Sequence, residues 1–427
     1  MRRSCSGLRE GHSREDESEV MSQASAHATN DHKLTVTPEL AEKVRKAVRD
    51  SWQPEMSPNA AGRSPRAART AGDVRWRAAA REDRVMKGGC GLLVGAALVL
   101  HGATARAQEL FDLQKVADGV YAALARPRTP INCNAAVVVY DDGVLVMDTH
   151  SRPSSARALI RQVEAVTDKP VRYAVNSHFH WDHAQGNRAY PVAFPKQVAI
   201  VASEATRENL RALGMQRVKE QIENGPRQID VLKKRIAVEK ETAAAASLRD
   251  ELRQQEEYLA EIRSLELVLP DVTFDRSMIL HRSDRDIVLL FLGRGHTSGD
   301  VVAYLPKQRV VATGDLLHGW MPFMGDAFPK EWVATLDALD KLDFDHIIGG
   351  HGGVKPKAHL RFFRNYIADL IEEVGRARQR GETLEQAQRS AASALQPKYE
   401  AGMDGRFAGS IGANIEKVYK DMAAGLY

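Results

Sequence analysis

The stretch His178-Phe179-His180-Trp181-Asp182-His183 places three imidazoles and a carboxylate within six residues, directly after the strand-like run Val171 to Asn176. Alternate residues of an extended segment share a face, so His178 and His180 can point to one side and meet one metal ion. If the chain then turns into a helix, Asp182 and His183 swing past that point toward a second position. Imidazole with carboxylate suits zinc and its first-row neighbours. A surface turn that is merely rich in histidine has no need of this spacing.

Four other segments carry the same kind of residue at the end of an apolar run. Asp148 closes Val144-Leu145-Val146-Met147-Asp148-Thr149, and His296 stands in Gly295-His296-Thr297-Ser298-Gly299-Asp300. Asp315 follows Thr313-Gly314, and His351 follows Ile347-Ile348-Gly349-Gly350. The last three sit beside glycine, where the backbone can turn sharply at a strand end. Taken in order with the histidine cluster, these segments resemble the motif set of the metallo-β-lactamase-fold hydrolases, from about Leu110 to Ala358.

That resemblance implies an α/β fold, the four-layer αββα sandwich, with the metal motifs along one edge. It implies one site of His178, His180 and His296 and a second of Asp182, His183 and His351, with Asp315 giving an oxygen to each. Two zinc ions per chain are expected, with iron or manganese as the other candidates. A metal-bridging hydroxide, working beside Asp182, would attack an electrophilic carbonyl. Asp148 would orient ligands rather than bind metal.

An aspartate at position 315 resembles the glyoxalase II and lactonase branches, whereas zinc β-lactamases carry Cys or Ser there. Hydrolysis of a small ester, lactone, thioester or amide is therefore expected ahead of β-lactamase action. Two other classes remain. One is a mononuclear iron oxidoreductase of the persulfide dioxygenase type, which about one iron per chain and oxygen uptake would reveal. The other is a non-catalytic binding protein on the same scaffold, which would take up metal and turn over nothing.

The formal charge of +4 belongs to the N-terminal part: residues 1–107 hold 18 Lys and Arg against 13 Asp and Glu, and the rest holds 42 against 43. A near-neutral body argues against nucleic acid as a partner. A small-molecule substrate is expected. Met86-Lys87, the apolar run Leu92 to Leu100 and the small-residue site Ala105-Arg106-Ala107 have the pattern of a secretory signal peptide over 86–107. Its core is shorter than the roughly 20 residues of a membrane span, so no stable membrane insertion is expected after cleavage. The address is then periplasmic or secreted, and residues 1–85 read as a disordered tail or an over-extended gene start. Of Cys5, Cys90 and Cys133, only Cys133 remains after cleavage, as a buried apolar residue without a disulfide partner.

Within the body at 108–355, short strands are predicted at Gly119–Leu124, Ala135–Tyr140, Val144–Met147, Gln197–Ala202, Val272–Leu280, Ile287–Leu292, Val301–Leu305, Val310–Thr313 and Ile347–Ile348, with helices at Ser154–Val166 and Glu331–Leu342. A charged, helix-favouring insertion covers 204–266. Leu210, Leu213, Val218 and Ile222 mark one helix, Gly225-Pro226 a break, and Ile229, Leu232 and Ile236 the start of another. Leu248, Leu252, Leu259, Ile262 and Leu265 form an apolar stripe. The resulting hairpin is a candidate homodimer contact or a lid over the metal cleft. Residues 356–427 add C-terminal helices over Ala358–Arg378, Leu384–Leu395 and Ile411–Met422, with Thr383 and Gln386 as a capping box. For substrate, the loop from His318 to Met324 is expected to wall an apolar pocket through Trp320 and Phe323, with His318 and His150 close by.

Overall fold

The computed structural model describes residues 110–126, 132–403 and 406–427, and the readings for residues 1–85 and 86–107 lie outside them. Two sheets face one another. The first runs in chain order through β1 (Phe111–Ala117), β2 (Val120–Ala125), β3 (Ala135–Tyr140), β4 (Gly143–Met147), β5 (Val171–Val175), β6 (Ala199–Ser203) and β7 (Val272–Phe274). Its first four strands pair antiparallel, and β4 to β7 pair parallel. Parallel neighbours need crossovers, here α1 (Pro153–Glu164), the pair α2 (Trp181–Ala184) and α3 (Ala189–Ala193), and the insertion as α4 (Glu204–Val238) and α5 (Thr242–Ile262).

The second sheet has the order β13-β12-β11-β10-β9-β8, built from β8 (Ser277–His281), β9 (Asp286–Phe291), β10 (Val301–Leu305), β11 (Val310–Gly314), β12 (His346–Gly349) and β13 (Lys355–Pro356). Only β11 and β12 pair parallel, joined by α6 (Pro329–Asp340). The chain closes with α7 (Ala358–Gln379), α8 (Leu384–Tyr399), a 3₁₀ turn at Glu400–Gly402 and α9 (Phe407–Ala423).

Strand alternation explains the layers. Ala136, Val138 and Tyr140 of β3 meet Val301, Ala303 and Leu305 of β10 in the core between the sheets. Ala135 and Val137 face Leu159, Ile160 and Val163 of α1 on the outer side. Val302 and Val311 pack outward against Leu336, Phe363 and Ile367 of the other helical layer. This is the expected αββα order.

Several boundaries differ from the sequence reading. The run Val272–Leu280 is two strands: β7 closes the first sheet and β8 opens the second, with Asp275 and Arg276 carrying the chain across. Strand β1 and the short α3 have no counterpart among the elements expected from the sequence. Helix α4 runs unbroken through Gly225-Pro226. An internal proline forfeits a helical hydrogen bond, but Gly225 lets Leu259 of α5 lie close, where a Cβ would stand 2.8 Å from Leu259 Cδ1. Val218, Ile229, Tyr258, Leu259 and Ile262 then bury one continuous seam. Thr383 and Gln386 do form the capping box of α8. Among the described residues no helix is long and apolar enough to cross a membrane.

Candidate metal centre

Parallel pairing brings strand ends together. The ends of β4 and β5 leave the first sheet side by side, as do those of β11 and β12 in the second. Asp148 follows β4, His178 to His183 follow β5, Asp315 follows β11 and His351 follows β12; His296 lies in the β9–β10 connection. Two glycines make the crowding feasible. Gly314 has φ +50°, and any Cβ on it would fall 2.2 Å from Ser177 Oγ. A Cβ on Gly350 would meet Asp315 Oδ1 at 2.1 Å and His183 Cε1 at 2.8 Å.

The seven expected ligands converge in overlapping groups: His178, His180 and His296; Asp182, His183 and His351; and His178, His183 and Asp315. Nε2 of His296 lies 2.9 Å from Nδ1 of His180. Asp182 Oδ2 is 3.4 Å from His183 Nε2 and 3.1 Å from His351 Nε2. The Asp315 carboxylate faces both groups, with Oδ1 3.4 Å from His183 Nε2 and Oδ2 3.6 Å from His296 Nε2 and 3.5 Å from His351 Nε2. The separations of 3.4–3.6 Å are close to the edge of a tetrahedron around a zinc ion, about 3.4 Å for ligand distances near 2.1 Å, while the 2.9 Å and 3.1 Å contacts are shorter. All seven side chains are buried.

The donor set fits metal for a second reason. His178 Nε2, His183 Nε2 and Asp315 Oδ1 are buried without a hydrogen-bond partner, a costly condition unless a cation takes the lone pairs. Their opposite faces are occupied. Nδ1 of His178 meets Ser177 Oγ at 2.9 Å, and Nε2 of His180 meets Asp326 Oδ2 at 2.8 Å. Asp148, itself at φ 74°, accepts from Ser177 N at 2.7 Å and Ser177 Oγ at 2.8 Å and lies on His183 Nδ1. It braces the cluster from behind, and with Cys133 and His183 it also forms a further buried group of possible donors.

Electrostatics divides the imidazoles. Burial, aided by neighbouring rings, keeps His178 and His296 well below the ordinary histidine range, and so neutral. For His351 burial acts the same way, but the Asp315 and Asp182 carboxylates outweigh it and lift the ring to about 9. Against their burial, the histidines hold Asp182 and Asp315 below the usual carboxylate range.

The predicted substrate residues fare differently. His150 is wholly buried, with its ring 4.2 Å from that of Phe111 and Nδ1 3.1 Å from the Cys133 carbonyl, so it presents no surface to a ligand. His318 is also buried; its Nδ1 accepts from Trp320 N at 3.1 Å, and burial lowers it to about 4. Trp320 does not wall an open pocket. It stacks on His351 at 4.6 Å and 14°, and the Arg406 guanidinium lies over its ring, 3.8 Å from the centroid. Met321 and Met324 join the core beneath α6 and α7. Phe323 alone stays open, 58% exposed, with its ring 5.7 Å from that of His180. Trp181 packs on Tyr258 of α5 at 5.0 Å, and Cys133 is buried, its thiol pushed up to about 12 by burial.

Other residues had no signal in the sequence. Asn134 donates Nδ2 to the carbonyls of Gly349 at 2.9 Å and Gly352 at 2.8 Å, pinning the His351 loop to the first sheet. Asp326 takes Arg217 of α4 as well as His180, and despite partial burial their bonds and charges hold it down to about 2. The insertion is tied elsewhere too. Gln185 beside α2 bonds to Gln221 of α4 at 3.2 Å and Tyr258 of α5 at 3.1 Å, and buried Arg152 reaches Glu257 at 3.0 Å.

A family model described as the Metallo-beta-lactamase superfamily matches residues 128–351, more than half of the chain. A second, described as a protein of unknown function (DUF1059), matches residues 12–50, outside the described residues. Among curated proteins, the linear primary-alkylsulfatase of Pseudomonas sp. (strain ATCC 19151) is 24% identical over 257 residues, 57% of this chain and 46% of that protein. The metallo-beta-lactamase type 2 of Elizabethkingia meningoseptica is 23% identical over 107 residues, 24% of this chain and 41% of that one. The chain thus spans under half the length of these relatives. A solved metallo-beta-lactamase from Pontibacter korlensis superposes with a TM-score of 0.45 at 17% identity, covering 60% of this chain and 99% of that one.

Proposed function

We propose, from the premise that this chain belongs to the metallo-β-lactamase superfamily, that it is a two-metal hydrolase acting on small ester-type substrates. The observation that carries this reading is the position of the Asp315 carboxylate against nitrogens of both sets of buried donors, with unpartnered His178 and His183 nitrogens grouped around it. His178, His180 and His296 would hold one ion and Asp182, His183 and His351 the other, with Asp315 serving both. Ions held here, zinc being the best match to the donors, would acidify a water and polarise the bond to be cleaved.

The chain's own contribution is order and charge. Asp182 and Asp315 stay ionised, while His178 and His296 stay neutral and ready to donate lone pairs. Asp148 fixes the rotation of His183. Phe323 offers an exposed aromatic face beside His180 for an apolar group of the substrate. Likeness to an alkylsulfatase extends the ester class considered to sulfate esters. The segment read as a signal peptide would place this activity outside the cytoplasm.

Metal content, together with a panel of aryl esters, lactones, thioesters, alkyl sulfates, phosphodiesters and β-lactams run with and without chelator, tests the reading. About two metals per chain and chelator-sensitive ester cleavage are expected. A metal-loaded protein inactive on every substrate would overturn it, and one iron with sulfur-dependent oxygen uptake would replace it.

A further inference from the structure

The helical insertion reaches a metal-site histidine through two side chains. Arg217 of α4 donates Nη2 to Asp326 Oδ1 at 2.8 Å, and the other oxygen of that carboxylate lies 2.8 Å from His180 Nε2. Both oxygens are committed, one to each partner. The guanidinium also lies over the Phe179 ring, 5.6 Å from its centroid.

His180 presents Nδ1 to the cluster, 2.9 Å from His296 Nε2. With Nδ1 given to a metal, the neutral ring would carry its proton on Nε2, where the Asp326 carboxylate would accept it, and an anionic acceptor at that point selects the tautomer and fixes the ring's rotation. Asp326 has no regular element to hold it, since it lies in the connection from β11 to α6. Arg217 supplies the anchor, from a helix that packs on α5 and on the metal motif.

We propose that Arg217 is a positioning residue of the metal centre: it sets Asp326, which orients His180, so that the three-histidine site depends on a side chain outside the sandwich. This rests on the reading of the cluster as a metal centre, and it assigns the insertion a part in the site beyond that of a dimer contact or a lid. The relation is between Arg217 and one ligand, so the effect should fall on one of the two ions.

Cobalt(II) titration of the metal-free full chain tests this, because its visible bands report the geometry of each site as it fills. Arg217→Met keeps the aliphatic stem over Phe179 and removes the charge. It should weaken cobalt binding at the three-histidine site by about 10–100-fold and shift its bands, leave the second site and the far-UV circular dichroism unchanged, and be partly rescued in Arg217→Lys. Asp326→Ala should give at least the same loss, and the double variant should add little to it. Wild-type affinity and bands in Arg217→Met, with Asp326→Ala impaired, would overturn the role of the insertion alone. A wild-type chain that takes up no cobalt would overturn the metal-centre reading with it.

Discussion

The Oδ2 atom of Asp148 lies 2.8 Å from Nδ1 of His183, both side chains buried. The same carboxylate accepts from the backbone and hydroxyl of Ser177, the residue before His178. One acid thus aims two histidines. Asp148→Ala would leave buried donors without acceptors, at a cost of about 1–3 kcal/mol each. Thermal unfolding of the metal-free variant should show that loss, and metal affinity should fall about 10–100-fold. Unchanged metal binding would refute the orienting role.

Asp182 carries the negative charge of the second donor set and touches both of its histidines. Asp182→Asn conserves volume, so the fold should survive, judged by circular dichroism. Turnover should drop by more than the roughly 100-fold that the loss of an outer partner causes. A variant with full activity and two bound metals would exclude Asp182 from the ligand set.

Protonation of His351 sets a pH dependence. With its ring lifted to about 9 by Asp315 and Asp182 against burial, the metal-free protein carries a proton there at neutral pH. A metal takes that nitrogen only after the proton leaves. Affinity should therefore rise with pH toward about 9. Calorimetry at pH 7 in buffers of different ionisation enthalpy should detect net proton release, and a buffer-independent heat would contradict the assignment.

Gly350 offers a steric test. The Cβ of Gly350→Ala would collide with Asp315 Oδ1 and press on His183. Crowding a packed site costs roughly 1–3 kcal/mol, and here it falls on the residue shared by both donor sets. Metal stoichiometry should fall below two even where the variant folds. A fully loaded Gly350→Ala protein would show that Asp315 has room to move.

Phe323 is exposed and outside the ligand set. Phe323→Ala should leave stability within about 0.5 kcal/mol of the parent. It should raise KM for esters with long apolar groups more than for short ones, with metal content unchanged. Equal effects on both would remove Phe323 from substrate binding.

The clustered donors could be read in sequence because metal chemistry restricts residue type and strand ends restrict position. His178, His180, Asp182, His183, His296, Asp315 and His351 each met both conditions. Arg217 and Asp326 met neither, since an ordinary helix arginine and a loop aspartate acquire meaning only when folding brings together positions 109 apart in sequence. The continuity of α4 at Pro226 likewise depended on Leu259 seating against Gly225. Trp320, Met321 and Met324 looked like a pocket wall because an apolar loop beside a site has the same composition as one roofed by other elements. Only the packing of α6, α7 and Arg406 distinguishes the two.

The candidate metal donors come from both sheets, His178 to His183 from the first and His296, Asp315 and His351 from the second. Ions held between them would act as removable cross-links, tying positions up to 173 residues apart in sequence, and so would restrict the unfolded chain only while metal is present. The melting temperature would then report free metal concentration. Chelation would remove that tie between the two halves of the sandwich.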